Sequence, residues 1–582
     1  MKPNMNERIR NTKDAKVAEF SAFSFVGNLK SLLKTLFGRH YEPWIRRPLI
    51  PLRTLKRHVV NAIKHPYSMW GALQTLLANV YQICIASWWS QLQRLITLWW
   101  SQLQHSIAVS PKFLQLCLLT YYGKPRWHPL RLLVCPVLEA ALHILEFRYR
   151  GYFKRFGAAV AALPRSTSDR RSLLLISGTL GPGGSERQTV LTVLGLAGRG
   201  QKSLEFAVVY LRNEVERFYQ HKLESAGMPI IEFNRDTSMD DNEDLRGLLQ
   251  ASNFLLPELY DIRDYVRTLA ARRSQIVHLW LDEVNIKGGL VAVAAGVPHI
   301  ILSGRNLPPN NFHLYHPYMR EGYRWLLRQP GVRLINNSVA GARAYERWLG
   351  LRKGSIRVVH NGFDFDEALL TRCHNQRAAY RKRHGIPLEA PLIGTVIRLN
   401  DEKRPLLWAE IAAHIGRAMP EAHFLVVGDG PLRPGLEARA ALPDLAGRLH
   451  VVGLEKQALT AMAAMDLFLL SSRGEGLPNV LVEAQALGVP VVTTRAGGAP
   501  ETLDNRRTGW VLASDRPAAA AGVVVRLLQD KLWLKRAGGE AKEFVRTHFG
   551  VERMLDETLQ VYGSISPLET FNNATHSVEK LL

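Results

Sequence analysis

Apolar positions along this chain follow two rhythms, and the change falls near residue 170. Downstream, short apolar runs recur at 172–177, 204–211, 229–233, 275–281, 299–303, 333–336 and 356–360, and again at 392–397, 424–427, 451–454 and 467–470. Runs that are apolar at nearly every position fit parallel strands covered on both faces. Helical stretches, including 245–255 and 339–349, separate several of them. This alternation predicts α/β architecture: two doubly wound parallel sheets with ligands at the carboxyl ends of the strands.

Upstream the period is helical. Trp88-Trp89-Ser90-Gln91-Leu92-Gln93 returns eleven residues later as Trp99-Trp100-Ser101-Gln102-Leu103-Gln104, so both copies face the same way. Ile85, Trp88, Leu92, Leu95, Trp99 and Leu103 form one stripe, opposite Asn79, Gln82, Gln93, Thr97, Ser101 and Gln104. Residues 1–165 carry 24 Lys+Arg against 6 Asp+Glu, a net +18 of the chain's +24. A basic, Trp-rich, mainly α-helical module therefore precedes a nearly ordinary globular protein. Tryptophan suits the headgroup boundary, and flanking basic residues favour an anionic leaflet. We read residues 1–165 as a membrane-association module lying on the inner face of the cytoplasmic membrane, with the rest in the cytoplasm. A spanning or re-entrant hairpin and packing against the downstream domains or a partner subunit are the alternatives. Nucleic acid is a poorer partner, because the basic residues interleave with apolar stripes and no recognition motif is present. The four cysteines lack metal-knuckle or redox spacing, and residues 1–34 contain no uninterrupted apolar stretch of signal-peptide kind.

Two carboxylates carry the chemistry. Glu475 and Glu483 sit in Ser471-Ser472-Arg473-Gly474-Glu475-Gly476-Leu477-Pro478-Asn479-Val480-Leu481-Val482-Glu483-Ala484, just after the run 467–470. Pro478 is expected to open a helix, which puts Glu475 in a strand-to-helix loop and Glu483 about one turn inside. Free N–H groups at such a helix start attract phosphate, and acceptor-only carboxylates suit hydroxyl groups. The run 392–397 leads into Arg398-Leu399-Asn400-Asp401-Glu402-Lys403-Arg404-Pro405, bringing two cations to the same strand-end cleft. In the first half, the run 172–177 enters Gly178-Thr179-Leu180-Gly181-Pro182-Gly183-Gly184-Ser185-Glu186-Arg187-Gln188, where glycines permit close approach of a ligand.

Together these segments, with Ala484-x-Ala486-x-Gly488-x-Pro490-Val491-Val492 and Val358-x-x-Asn361-Gly362-x-Asp364, resemble the retaining glycosyltransferases of family 4, which have the GT-B fold. Within that family the resemblance extends to transferases of Vi-type capsules. It covers roughly residues 170–565 and not the front end. It implies two Rossmann-like domains facing a cleft: 166–375 for the acceptor, 376–548 for the nucleotide-sugar, and 549–582 as a C-terminal helix returning to the first domain, with a tail.

The resemblance also implies roles. Arg398 and Lys403 would neutralise the donor diphosphate with the amides of Gly476 and Leu477, in the segment Gly476-Leu477-Pro478-Asn479. Glu475 would orient the donor sugar and Glu483 would grip the ribose. Gly428 and Gly430 would shape the nucleotide pocket, and Gly453 and Leu454 would contact the base. Gly183, Gly184, Ser185, Glu186 and Arg187 would border donor phosphate and acceptor. A histidine common in the family after the fifth strand is replaced by Gly304-Arg305-Asn306. Arg305 is placed to stabilise phosphate or an acidic acceptor, Asn306 to bind a hydroxyl group, and His278, read at a strand end, to serve in its place. Asp364-Phe365-Asp366 reads as a solvated turn. With two cations and helix N-termini at the cleft, no metal or cofactor is expected. The expected activity is sugar transfer, with retention, from a UDP-sugar to a polysaccharide or lipid-linked glycan of a bacterial capsule or exopolysaccharide. A GT-B nucleotide-sugar epimerase and a non-catalytic scaffold subunit of a polysaccharide synthase complex are the alternatives, with other polysaccharide-synthesis subunits as further expected partners.

Overall fold

The computed structural model describes residues 146–564 apart from 148, 164–171, 202, 234–258, 260–261, 273, 313–314 and 456. The amphipathic stripe of the front module, the helix expected at 245–255 and the C-terminal tail lie outside the described residues.

The first sheet is all parallel, in the order β3-β2-β1-β4-β5-β6-β7. Its strands are β1 (Leu173–Ser177), β2 (Leu204–Val208), β3 (Ile230–Glu232), β4 (Ile276–Trp280), β5 (His299–Gly304), β6 (Val332–Asn336) and β7 (Arg357–Val358). Every residue of β1 and β4 is buried, as the uninterrupted apolar runs require for strands covered on both faces. One face packs on helices Ile262–Arg272, Asp282–Ala294 and Tyr318–Leu326. The other packs on helices Gly184–Gly198 and Val551–Gly563.

The second sheet is also parallel, in the order β10-β9-β8-β11-β12-β13. It comprises β8 (Leu392–Val396), β9 (His423–Val427), β10 (Leu449–Gly453), β11 (Leu467–Leu470), β12 (Val491–Thr493) and β13 (Gly509–Val511). In both sheets the strand order reverses beside the first strand, between β1 and β4 and between β8 and β11. Those reversals open crevices at the carboxyl ends, where the candidate residues lie.

Several expected boundaries move. Helix 339–349 forms as Val339–Leu349, because Ser338 accepts from Gly341 N and Gly350 closes the helix in the left-handed conformation. The expected run 275–281 stops one residue early, at Trp280, and Leu281 turns to φ 75°, ψ 155°. Residues 149–161, assigned above to the front module, are helical and belong to the first core, since Tyr149, Phe153 and Phe156 are buried there. Phe153 and Phe156 pack on Trp325 with centroids 6.5 and 5.4 Å apart. Residues 367–375, assigned above to the first domain, form helix Glu367–Asn375, whose Leu370 and Cys373 insert into the second core. Its N-cap is Asp366, whose carboxylate accepts from Leu369 N at 3.0 Å, consistent with a turn rather than a metal ligand.

The chain passes between the two sheets' cores twice, around Phe363 and around Gly550, and the passages touch. Phe363 N donates to Phe549 O at 2.7 Å and Val551 N to Phe363 O at 3.2 Å. Beyond the second passage, helix Val551–Gly563 lies on helix Gly184–Gly198, with fully buried Leu555 filling the space left by Gly195. Truncating a buried leucine in such a seam typically costs about 2–5 kcal/mol. Leu555→Ala is therefore expected to lower the stability of the first domain by that amount, measured by urea unfolding followed by tryptophan fluorescence.

Candidate active site

Two loops build the second domain's side of the cleft. β8 runs out into 397–404, and Arg404, in the left-handed conformation at φ 53°, precedes helix Pro405–Ala418. The Arg404 guanidinium donates to Ser471 O at 2.7 Å, to Ser472 O at 3.0 Å and to Asp515 at 2.6 Å, tying this loop to the one after β11. Arg473 N donates to Glu402 O at 2.8 Å. Across this seam Lys403 Nζ donates to Glu475 Oε1 at 2.6 Å. Pro478 is the residue before the helix, not its first residue; helix Asn479–Ala486 begins at Asn479, so its first amide is a real donor. Glu483 is its fifth residue and is 5% exposed.

Gly428 and Gly430 adopt φ 132° and 155° as the turn after β9 passes the turn after β8. A side chain at Gly428 would strike Ile397 O, and one at Gly430 would meet Leu399 O at 2.6 Å. Gly428 N donates to Gly453 O at 2.7 Å, which fixes the end of β10, and Leu454 beyond it is 80% exposed at the rim.

From the first domain, helix Gly184–Gly198 starts directly after Gly183, so Ser185, Glu186 and Arg187 belong to its first turn rather than to a loop. Arg187 Nη2 pairs with Glu483 Oε1 across the cleft. Glu186 accepts from Thr179 Oγ1 at 3.3 Å. Burial raises the Glu186 carboxyl pKa, and the charge of Arg398 in the other domain opposes that rise. Asn361 joins the halves: its Nδ2 donates to Leu477 O at 3.2 Å and to Asn479 Oδ1 at 2.7 Å, while Asn479 Nδ2 donates to Gly184 O at 3.3 Å.

The loop after β5 is pressed against the glutamate segment. A side chain at Gly476 would strike Arg305 O, and Asn306 lies beside Glu402. Burial first, and Glu475 as well, raise the Glu402 pKa against the opposing charge of Lys403. Arg305 lies 4.2 Å over the Trp280 ring and donates to Asn361 Oδ1 at 2.5 Å.

His278 is not at a strand end. It is the third of five residues in β4, 1% exposed, and its Nδ1 shares a 2.8 Å hydrogen bond with Tyr562 of the returning helix. Burial, with Arg305 adding to it, drops its pKa to about 3. It therefore stays neutral and holds the C-terminal helix in place rather than facing substrate.

Residues 390–530 match the sequence family described as glycosyl transferases group 1. The chain carries a group 1 glycosyl transferase domain. The chain is 29% identical over 418 residues to the Vi polysaccharide biosynthesis protein VipC/TviE of Salmonella typhi, covering 67% of this chain and 71% of that one. It is 24% identical over 323 residues to the UDP-Gal:alpha-D-GlcNAc-diphosphoundecaprenol alpha-1,3-galactosyltransferase of Escherichia coli, covering 53% and 80% respectively. Among solved structures, Anabaena HepE in complex with UDP and glucose superposes with a TM-score of 0.55 at 18% identity, over 68% of this chain and all of that one. That likeness establishes the GT-B arrangement of the two domains.

Further residues of the cleft lie outside the segments named from the sequence. Gly497, at φ 51°, and Gly498 lie against the carbonyls of Glu475 and Gly476, where any side chain would collide. Glu501 reaches the other domain, accepting from Val339 N at 2.8 Å and Ala340 N at 2.7 Å, and caps that helix start. The Gly-Gly pair after an apolar run was a usable signal; the target of Glu501 had none.

Two outcomes follow. Between pH 6.5 and about 3 the unfolded chain binds a proton at His278 and the folded chain does not, so stability falls as pH falls. The contribution is about 1.4 kcal/mol per pH unit in that window. His278→Gln is expected to flatten this slope in urea unfolding at a series of pH values below 6.5. Gly428→Ala is expected to lower the stability of the second domain in urea unfolding, because its Cβ cannot pass Ile397 O and the turn after β9 must shift.

Proposed function

We propose that this chain transfers a sugar, with retention of anomeric configuration, from a UDP-sugar to a growing polysaccharide or lipid-linked glycan in the biosynthesis of a bacterial capsule or exopolysaccharide. The observation that carries the reading is the meeting, at the carboxyl ends of two facing parallel sheets, of Glu475 with Lys403 and of Glu483 with Arg187. The names of the Salmonella typhi and Escherichia coli relatives support the polysaccharide and lipid-linked settings.

Breaking a sugar–diphosphate bond develops negative charge on the leaving phosphate and positive charge at the anomeric carbon. Arg398, Lys403 and the amides opening helix Asn479–Ala486 are fixed donors for the first, which is preorganised electrostatic stabilisation. Glu475 orients the donor sugar's hydroxyl groups, and Glu483 takes the ribose. With retention, the acceptor hydroxyl attacks from the face the phosphate leaves and passes its proton to that phosphate. The domains exclude water that would otherwise hydrolyse the donor. No metal is required in this scheme, because cations and helix amides carry the phosphate charge. The basic front module brings the enzyme to the inner face of the cytoplasmic membrane, where a lipid-linked acceptor would be met. Among the described residues no helix is long and apolar enough to cross a membrane.

The test is transfer from a panel of nucleotide-sugars with native membranes present. Wild type is expected to label lipid or polymer from a UDP-sugar, to continue in excess EDTA, and to lose at least a hundredfold in rate as Glu483→Ala. Conversion of the donor to its epimer without transfer, or no turnover of any donor, would sink the reading.

A further inference from the structure

Three arginines drawn into the cores and the cleft are matched to carboxylates. Arg381, 1% exposed, donates to Asp466 at 2.9 Å and to the carbonyls of Ala464, Leu388 and Ala390. Arg404 has Asp515, and Arg187 has Glu483. Arg305 is different. Its one protein acceptor is the neutral amide oxygen of Asn361, and its Nε is closed off from solvent with no acceptor. Among the described residues no carboxylate pairs with it. Burial alone, with nothing opposing it, brings its pKa down to about 9, so at neutral pH it is still a cation.

The surroundings hold this charge in position. The Trp280 ring lies under the guanidinium at 4.2 Å, which sets its plane. Leu281, immediately after, occupies φ 75°, ψ 155°, a region that non-glycine residues enter at a cost of about 1–3 kcal/mol and chiefly at functional sites. Asn361 orients the guanidinium while bonding Leu477 and Asn479 of the opposite domain. The Arg305 carbonyl abuts Gly476, next to Glu475. A cation without a carboxylate partner thus lies between Trp280 and Asn361, on the loop that abuts the glutamate segment, and an incoming anion would offset the cost of its desolvation.

We propose that Arg305 is an anion receptor whose counter-charge is supplied by the substrate, either a phosphate oxygen of the donor or the carboxylate of an acidic sugar on donor or acceptor. The inference rests on the transferase reading of this cleft and adds a ligand to it that Arg398 and Lys403 do not supply. It also predicts an opposition between stability and binding. An arginine serving the fold would destabilise the protein when removed, whereas a receptor would not.

The experiment uses the full chain as wild type, Arg305→Met and Arg305→Lys. Melting temperature is measured without ligand, and calorimetry with UDP, UDP-glucose and UDP-glucuronate, then with oligogalacturonate against a neutral galacto-oligosaccharide in the presence of UDP. The ligand-free Arg305→Met protein is expected to melt no lower than wild type. Affinity is expected to fall roughly 10- to 100-fold for whichever ligand brings the anion, with Arg305→Lys intermediate. Equal loss across UDP and both UDP-sugars identifies phosphate. Loss confined to UDP-glucuronate or to oligogalacturonate identifies the carboxylate and its side of the reaction. Unchanged affinity for every ligand, or a lower melting temperature with affinities intact, overturns the proposal. Wild type binding neither UDP nor either UDP-sugar would instead remove the nucleotide-sugar reading, and this inference with it, before any variant is compared.

Discussion

A carboxylate taken out of water needs a cation, and in this cleft that need shapes the structure. Glu475 and Glu483 are 6% and 5% exposed, and each has a positively charged partner. For Glu475 the partner is Lys403, from the neighbouring loop of the same domain. For Glu483 it is Arg187, from the other domain. Deleting one partner of a buried pair costs about 3–5 kcal/mol, because the remaining charge has nowhere to go. The first pair therefore fixes the shape of one wall, and the second sets the spacing between walls. These four groups are already balanced against one another, so a ligand reaching them would have to exchange partners with them.

Close backbone approach is the second constraint. The glutamate segment runs between the loop after β5 and the loop after β12, and glycine stands at each crossing: Gly476 against Arg305, Gly497 against Glu475, Gly498 against Gly476. Three strand-end loops from two domains can lie this close only where no Cβ intervenes. The same logic operates at the nucleotide end, where Gly428 and Gly430 let the turn after β9 pass the turn after β8.

What the sequence disclosed follows from which forces are local. Continuous apolar runs such as Leu467–Leu470 announce a strand buried on both faces, and Ser338 with Gly350 brackets its helix within a dozen residues. The two glutamates, the Arg398–Lys403 pair and the glycine-rich loop were visible for the same reason, since their chemistry resides in contiguous residues. Contacts between distant segments were not. His278 reads as a stand-in for the family histidine until Tyr562, 284 positions away, is seen against its ring. Glu501 looks like an ordinary surface carboxylate until the start of helix Val339–Leu349 is brought to it. Helix 149–161 looked like part of the basic module because its charge resembles what precedes it, yet Phe153 and Phe156 commit it to the first core.

The paired passages at Phe363 and Gly550 have a mechanical meaning. Two separate links at distant points would let the halves slide or twist past each other only by stretching one of them. Two links hydrogen-bonded side by side act instead as a single pin. A rotation of the two domains about that pin would strain neither link, whereas a translation across the cleft would stretch both. Because helix Val551–Gly563 then lies back on the first domain, with Tyr562 locked to His278, the pin is anchored on both of its outgoing arms. Whatever freedom the cleft has is therefore angular, and the register between the two walls is preserved while the gap between them changes.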